Sequence, residues 1–294
     1  MMNSRLLGVS LALVGVVLFS AKAVMVKLAY QFDIDAVSLL LLRMLFALPM
    51  YITIAIFNRP KDTSIMKPTV YVWIIGLGVV GYYLASLFDF LGLLYIKASL
   101  ERIILFVYPT IVLLISRIFL KELITKRQLL AIILTYFGIV LAFSLELSLD
   151  SEGLFIGGGL IFLSALTYAS YIAGSGWLIP KIGATVFTSY AMIISCLCVV
   201  FHYVTVGDFD LFNYPAEVYW IGVAMAILST VIPSYLVSLS IKMIGAPSFA
   251  VVASFGPIST ILLANYFLGE SMHWLQWIGT LVVMIGVFFV SKND

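Results

Sequence analysis

Residues Ala98 to Glu122 read ASLERIILFVYPTIVLLISRIFLKE, and residues Ala246 to Glu270 read APSFAVVASFGPISTILLANYFLGE. Shifted by 148 residues, the two stretches fall into register: Ala98 on Ala246, Pro109 on Pro257, Leu114 on Leu262, Phe119-Leu120 on Phe267-Leu268 and Glu122 on Glu270. The register continues through Gln128/Gln276 to Gly138/Gly286. The chain therefore carries an internal repeat, and a repeat is settled before any local feature is interpreted.

Working outward, apolar runs of about 20 residues, the length that crosses a bilayer as a helix, recur from one end to the other. Of the 294 residues 63% are apolar and 10% charged, against about 25% charged in soluble domains. The expectation is an all-α integral membrane protein with ten spans: 6–28, 36–57, 69–94, 100–120, 128–147, 154–179, 185–206, 218–241, 248–268 and 274–290. They group as two five-helix repeats, 1–147 and 153–291. A net charge of +2 gives no reason to expect nucleic acid. Cys196 and Cys198 lie two apart on one span and face different ways, so no disulfide is expected between them. Arg5 and the apolar run before Ala21-Lys22-Ala23 have the outline of a signal peptide. Cleavage there would leave the first repeat one helix short, so the segment reads as a retained span.

The basic residues give an orientation. Arg5, Arg59, Lys61, Lys67, Lys121, Lys126, Arg127, Lys181, Lys242 and Lys292 occupy the N-terminus, the even loops and the C-terminus. Acidic residues such as Asp33, Asp35, Asp150, Asp208 and Glu270 occupy the odd loops. Both termini are expected in the cytoplasm of a cell with an inner (plasma) membrane. Five spans per repeat is an odd number, so the second repeat enters the membrane inverted relative to the first. Inverted repeats that enclose a midplane site are an architecture of secondary transporters.

Charge inside a span costs about 2.5–3.5 kcal/mol per residue on insertion scales, so each such residue needs a partner, water or a function. Lys22, Arg43 and Asp89 are each roughly 8–11 Å inside the same expected membrane boundary at 1.5 Å per residue, and Glu101-Arg102 begin the fourth span. This layer holds three positive and two negative charges, all in the first repeat. Pairing of Asp89 with Lys22 or Arg43 would leave a cation for an anionic substrate group; the alternative is a closed ion cluster that acts only as a gate. Asp89 and Glu101 are the candidate proton carriers, since no phosphate-cradling glycine motif suggests a nucleotide.

Helical spacing supplies candidate cavity faces: Ser164, Tyr168, Tyr171 and Ser175; Thr230, Ser234 and Ser238; Tyr82 and Ser86 with Asp89; and Ser254 beside Pro257. Interhelical hydrogen bonds are the competing explanation for each hydroxyl. Pro109 and Pro257 are expected to bend their spans at equivalent places and serve gating. Spans five and ten, with Ala131, Gly138 and Ala142 matching Gly279, Gly286 and Val290, read as scaffold within a monomer or homodimer. His202 and His273 are far apart, and no metal or cofactor site is read.

Ten spans as five plus five, with the fourth span of each half carrying Pro and then Glu thirteen residues on, resemble the EamA family of the drug/metabolite transporter superfamily over essentially the whole chain. The stretch ASLERIILFVYPT followed by FLKE is similar to a common bacterial form of that family's fourth helix. The resemblance implies a transporter, not an enzyme, that exports small organic metabolites such as amino acids or related anions by alternating access, with protons as a candidate coupling ion and membrane lipid around it. The alternative within transport is a multidrug or hydrophobic-cation exporter; a more distant one is an intramembrane lipid-handling protein or enzyme. Lys22 lies where members of the family often carry a small polar residue, and Lys121 replaces the glycine that Gly269 retains.

Overall fold

The computed structural model describes residues 2–60, 66–120, 151–207 and 211–291, with scattered positions between 130 and 141. All secondary structure among the described residues is helical. Helix α1 covers Met2–Tyr30 and α2 covers Ala36–Phe57. The rod α3 joins Pro68–Gly78, a π-helical turn Val79–Leu84 and Ala85–Leu93. Helix α4 has two parts, Ala98–Leu105 and Tyr108–Leu120. Then come α5 (Ser151–Ile182) and α6 (Ala184–Val206). Rod α7 joins Ala216–Ala226, a π-helical turn Ile227–Val231 and Ile232–Ile244. Helix α8 joins Ala246–Val252, a 3-10 turn Ala253–Phe255 and Gly256–Leu268, and α9 covers Trp274–Ser291.

Among the described residues seven helices are long and apolar enough to cross a membrane, and Gly256–Leu268 is a shorter apolar helix. The expected fifth span, the loop bases Lys61, Lys121, Lys126 and Arg127, and Glu122 lie outside the described residues, apart from scattered positions of that span.

The irregular places in these helices follow the same shift of 148 as the sequence. The π turns begin at Val79 and Ile227, and the break after Leu105 corresponds to the 3-10 turn at Ala253–Phe255. π turns inside α-helices concentrate at functional sites because the extra residue widens the helix and redirects a side chain. The two prolines do more than bend a continuous helix. Pro109 and Pro257 each fall in the first turn of a new segment, after the interruption, where a missing amide hydrogen costs nothing because the first-turn amides have no intrahelical acceptor.

Helices from the two halves interleave. Helix α1 packs on the ends of α7 and α8, α2 on α6 and α7, and α3 on α5 and α6. Close approach is fixed by glycine: a Cβ at Gly81, in the π turn of α3, would collide with the Cβ of Tyr171. That approach brings α3 against α5 beside the polar layer.

Candidate functional site

The five charges within the helices converge on one buried region. Lys22 on α1 reaches Asp89 on α3, with Nζ 2.7 Å from Oδ2, and lies 3.7 Å from Oε1 of Glu101 on α4. Asp89 and Glu101 are both 0% exposed. One ammonium thus serves two carboxylates, and the three residues together carry one negative charge when all are ionised. Their sequence separation is large, but each sits at the end of its span nearest the loops that join α1 to α2 and α3 to α4, which explains why depth counting brings them together.

The two arginines are held differently. Arg43 on α2, 1% exposed, donates from Nε to Thr230 Oγ1 at 2.6 Å and from Nη1 to Ser86 Oγ at 3.4 Å, and its guanidinium lies 5.5 Å from the Phe90 ring centre. Thr230 belongs to the π turn of α7, and its hydroxyl donates in turn to the Met225 carbonyl at 2.8 Å. Arg102 on α4 donates from Nε to Thr260 Oγ1 at 2.8 Å and from Nη2 to Ser20 Oγ at 3.1 Å. Ser20 also donates to the Val16 carbonyl, and Thr260 to the Ser20 carbonyl. Among the described residues neither guanidinium forms an ion pair with a carboxylate. Both arginines therefore tie the first half of the chain to hydroxyls of the second and, among the described residues, have no carboxylate in direct contact.

A cavity of about 70 Å³ opens between these groups. Its lining includes Lys22, Arg43, Arg102, Tyr82, Tyr108 and Tyr168, with Ser86 and Ser164 between them. Asp89 and Glu101 lie behind Lys22 and contribute no surface to it. Tyr168 stands edge-on to Tyr82 and Tyr108, with ring centres 6.4 and 5.2 Å apart. The result is a small chamber with a cationic wall and an aromatic wall.

Of the residues expected to line a cavity, Lys22, Arg43, Tyr82, Ser86, Ser164 and Tyr168 do so, Asp89 does not because it is buried behind Lys22, and Arg102, expected in gating, joins the lining. Tyr171 lies just outside, packed under Gly81 and edge-on to Tyr82 at 4.9 Å. Ser175 donates to the Ile172 carbonyl of its own helix. Ser234 pairs with the Tyr51 hydroxyl at 2.8 Å, and Ser238 accepts from Thr188 at 2.6 Å. Ser234 and Ser238 are absent from the chamber wall because each bonds a neighbouring helix, and Ser175 is absent because it bonds its own. The Ser254 side chain lies outside what is described.

Sequence reasoning missed Ser20, Thr260 and Tyr108. Ser20 and Thr260 are hydroxyls in apolar runs, two residues before Lys22 and three after Pro257, and their place beside residues already singled out is the signal that could have found them. It also missed the task of Glu270. The helix that opens at Ala98 has Lys97 at its cap position without any side-chain capping bond. Glu270 supplies the cap from the other half: Oε1 accepts from Ala98 N at 3.0 Å, and Oε2 accepts from Ser99 N at 3.0 Å and Ser99 Oγ at 2.7 Å. Gly269, at φ +66°, takes the left-handed conformation that turns Glu270 out of α8, and Asn265 Nδ2 donates to the Glu270 carbonyl at 3.0 Å.

The sequence profile of the EamA-like transporter family matches this chain twice, over residues 6–144 and 155–292. The chain is 32% identical over 288 residues to the uncharacterized transporter YcbK of Bacillus subtilis, covering 96% of this chain and 91% of that one. It is 26% identical over 243 residues to the uncharacterized transporter YyaM of the same organism, covering 81% and 78%. A protein of known crystal structure superposes with a TM-score of 0.67 across 98% of this chain and 96% of its own, at 14% identity, which is a likeness of fold. With a profile match spanning both halves and a full-length relative at this identity, the chain belongs to the EamA-like transporter family and is a multi-pass membrane transporter.

Proposed function

We propose that this transporter is a secondary active carrier that exports small organic metabolites, amino acids or related anions among them, by alternating access between two inverted five-helix repeats. The observation that carries the reading is the pair of buried guanidiniums, Arg43 and Arg102, which face a common chamber without a carboxylate partner. A buried cation is costly unless something neutralises it, and a substrate anion that enters the chamber does so. The cationic wall argues against the alternative of a hydrophobic-cation exporter.

The repeat relation supports the alternating part of the reading. Sequence, π turns and helix breaks share one shift of 148, and the family profile matches each half separately. Two halves of one design can exchange conformations, so that the chamber opens first to one side and then to the other. With both termini cytoplasmic, the Glu270 cap would close the outer end of α4. Asp89 and Glu101 are the proposed proton carriers: Lys22 neutralises one carboxylate, and a proton on the other brings the triad to zero charge.

Purified protein in proteoliposomes, offered a metabolite panel with and without an imposed pH gradient, tests both parts. The expected outcome is gradient-stimulated movement of organic anions. A preference for lipophilic cations would refute the anion reading, and movement indifferent to the gradient would refute proton coupling.

A further inference from the structure

The chamber also constrains what the substrate lacks. Resting on the transport reading above, we propose that the substrate is a small organic acid without an ammonium group, held through its carboxylate by Arg43 and Arg102. An amino-acid zwitterion needs an acceptor for its ammonium as well as donors for its carboxylate. The described residues that line the chamber include three basic side chains and no carboxylate; Lys22 is paired with the carboxylates behind it, which leaves the guanidiniums of Arg43 and Arg102, held by hydroxyls, as the cations that face the space. Asp89 and Glu101 are fully buried and both face Lys22, so an entering ammonium would have to displace that lysine to reach them.

The remaining acceptors are hydroxyls of Ser86, Ser164 and the tyrosines. Ser164, which donates to the Ala85 carbonyl at 2.8 Å, and Ser86, which accepts from Arg43, offer lone pairs but no negative charge to offset that of an ammonium. Tyrosine faces attract cations, but the attraction of one ring for one ammonium is weaker than its repulsion by full charges in the same desolvated space. A site built this way discriminates by like-charge repulsion as much as by attraction. A hydroxyl in place of the ammonium removes the repulsion and can donate to a tyrosine or serine oxygen.

Size points the same way. At about 10–15 Å³ of this kind of volume per water-sized group, 70 Å³ accommodates a compact acid of three or four carbons rather than a long chain. The aromatic wall of Tyr82, Tyr108 and Tyr168 is suited to its carbon skeleton.

The test uses pairs that differ in one group. Full-length protein in proteoliposomes is offered labelled L-lactate against L-alanine, and, as a larger pair, L-2-hydroxybutyrate against L-2-aminobutyrate. The expected result is entry of the hydroxy acid at least tenfold faster than its amino counterpart in at least one pair. Arg43→Gln and Arg102→Gln should each lower that entry tenfold or more, and Arg43→Lys should restore part of it. Thermal stabilisation of the unaltered protein by the same hydroxy acid, and not by its amino counterpart, is expected as well, and does not depend on a variant that folds. Equal or faster entry of the amino acid in every pair overturns the proposal and leaves the transporter reading intact. Entry of neither member of either pair also overturns it, and entry of tetraphenylphosphonium in their place overturns the anion reading too.

Discussion

Glu270→Ala should loosen the start of α4 by a calculable amount. The helix Ala98–Leu105 begins without a capping side chain of its own, and its first two amide hydrogens point at one half-buried carboxylate from beyond α8. Loss of an N-terminal cap costs typically about 1 kcal/mol, and removal of a negative charge from the positive end of a helix adds about 0.3–1 kcal/mol. The total, roughly 1.5–2 kcal/mol, corresponds to about a 10- to 30-fold rise in the population of the opened end at 1.4 kcal/mol per decade. Hydrogen–deuterium exchange of a peptide covering residues 98–105 reads that population directly. Ser99→Ala removes the 2.7 Å hydroxyl bond alone and should cost about 1 kcal/mol. In a Glu270→Ala background the serine change should become silent, because both act on one contact. Unchanged exchange at residues 98–105 in Glu270→Ala, or full additivity with Ser99→Ala, would refute the capping argument.

Three further outcomes are expected. Lys22→Met leaves Asp89 and Glu101 facing each other without their shared cation and should destabilise by about 3–5 kcal/mol, more than Asp89→Asn, in which Lys22 keeps Glu101 at 3.7 Å; thermal unfolding in detergent gives the order, and Asp89→Asn should also abolish dependence of transport on a pH gradient. Thr230→Val removes the acceptor that holds Arg43 at 2.6 Å, a charge-assisted bond of about 1.5–3 kcal/mol, so the apparent KM should rise about tenfold or more, while Thr230→Ser keeps it near the original. Gly81→Ala sets a methyl against the Tyr171 Cβ, and overpacking of this sort costs about 1–3 kcal/mol; Tyr171→Phe should give no rescue of the melting temperature, because the collision is with the Cβ and not the ring hydroxyl.

Much of the helical framework was legible in the sequence because bilayer thickness imposes length and apolarity directly. The span expected at 36–57 is the helix Ala36–Phe57, and that expected at 185–206 is Ala184–Val206. The charged layer was legible for a related reason: lysine, arginine and carboxylates in apolar runs are few, and helical rise fixes their depth. Depth does not fix rotation. Periodicity set Ser234 and Ser238 on one face of α7, but whether that face meets a chamber or another helix depends on the neighbour, and here the neighbours are Tyr51 and Thr188. The same limit hid the choice of Arg43 for Thr230, which is 187 residues away, and the interruptions that place Pro109 and Pro257 at the start of new segments.

The two halves contribute unlike residues to the polar layer. Every charge in the layer comes from the first repeat, where Lys22, Arg43 and Arg102 have Ser170, Ala191 and Ala250 at the equivalent positions of the second. The second repeat answers with hydroxyls, Thr230 to Arg43 and Thr260 to Arg102. Thr230 can reach Arg43 because it lies in the π turn of α7, and Thr260 sits in the helical segment that restarts after the 3-10 turn of α8. The duplicated irregularities thus carry unlike chemistry: one copy holds the charge and the other orients it. An anion that draws on either guanidinium weakens a bond between the halves at the same moment. On the proposed reading, substrate entry and relative movement of the halves are one event, since the guanidiniums proposed to bind the first are the groups that restrain the second.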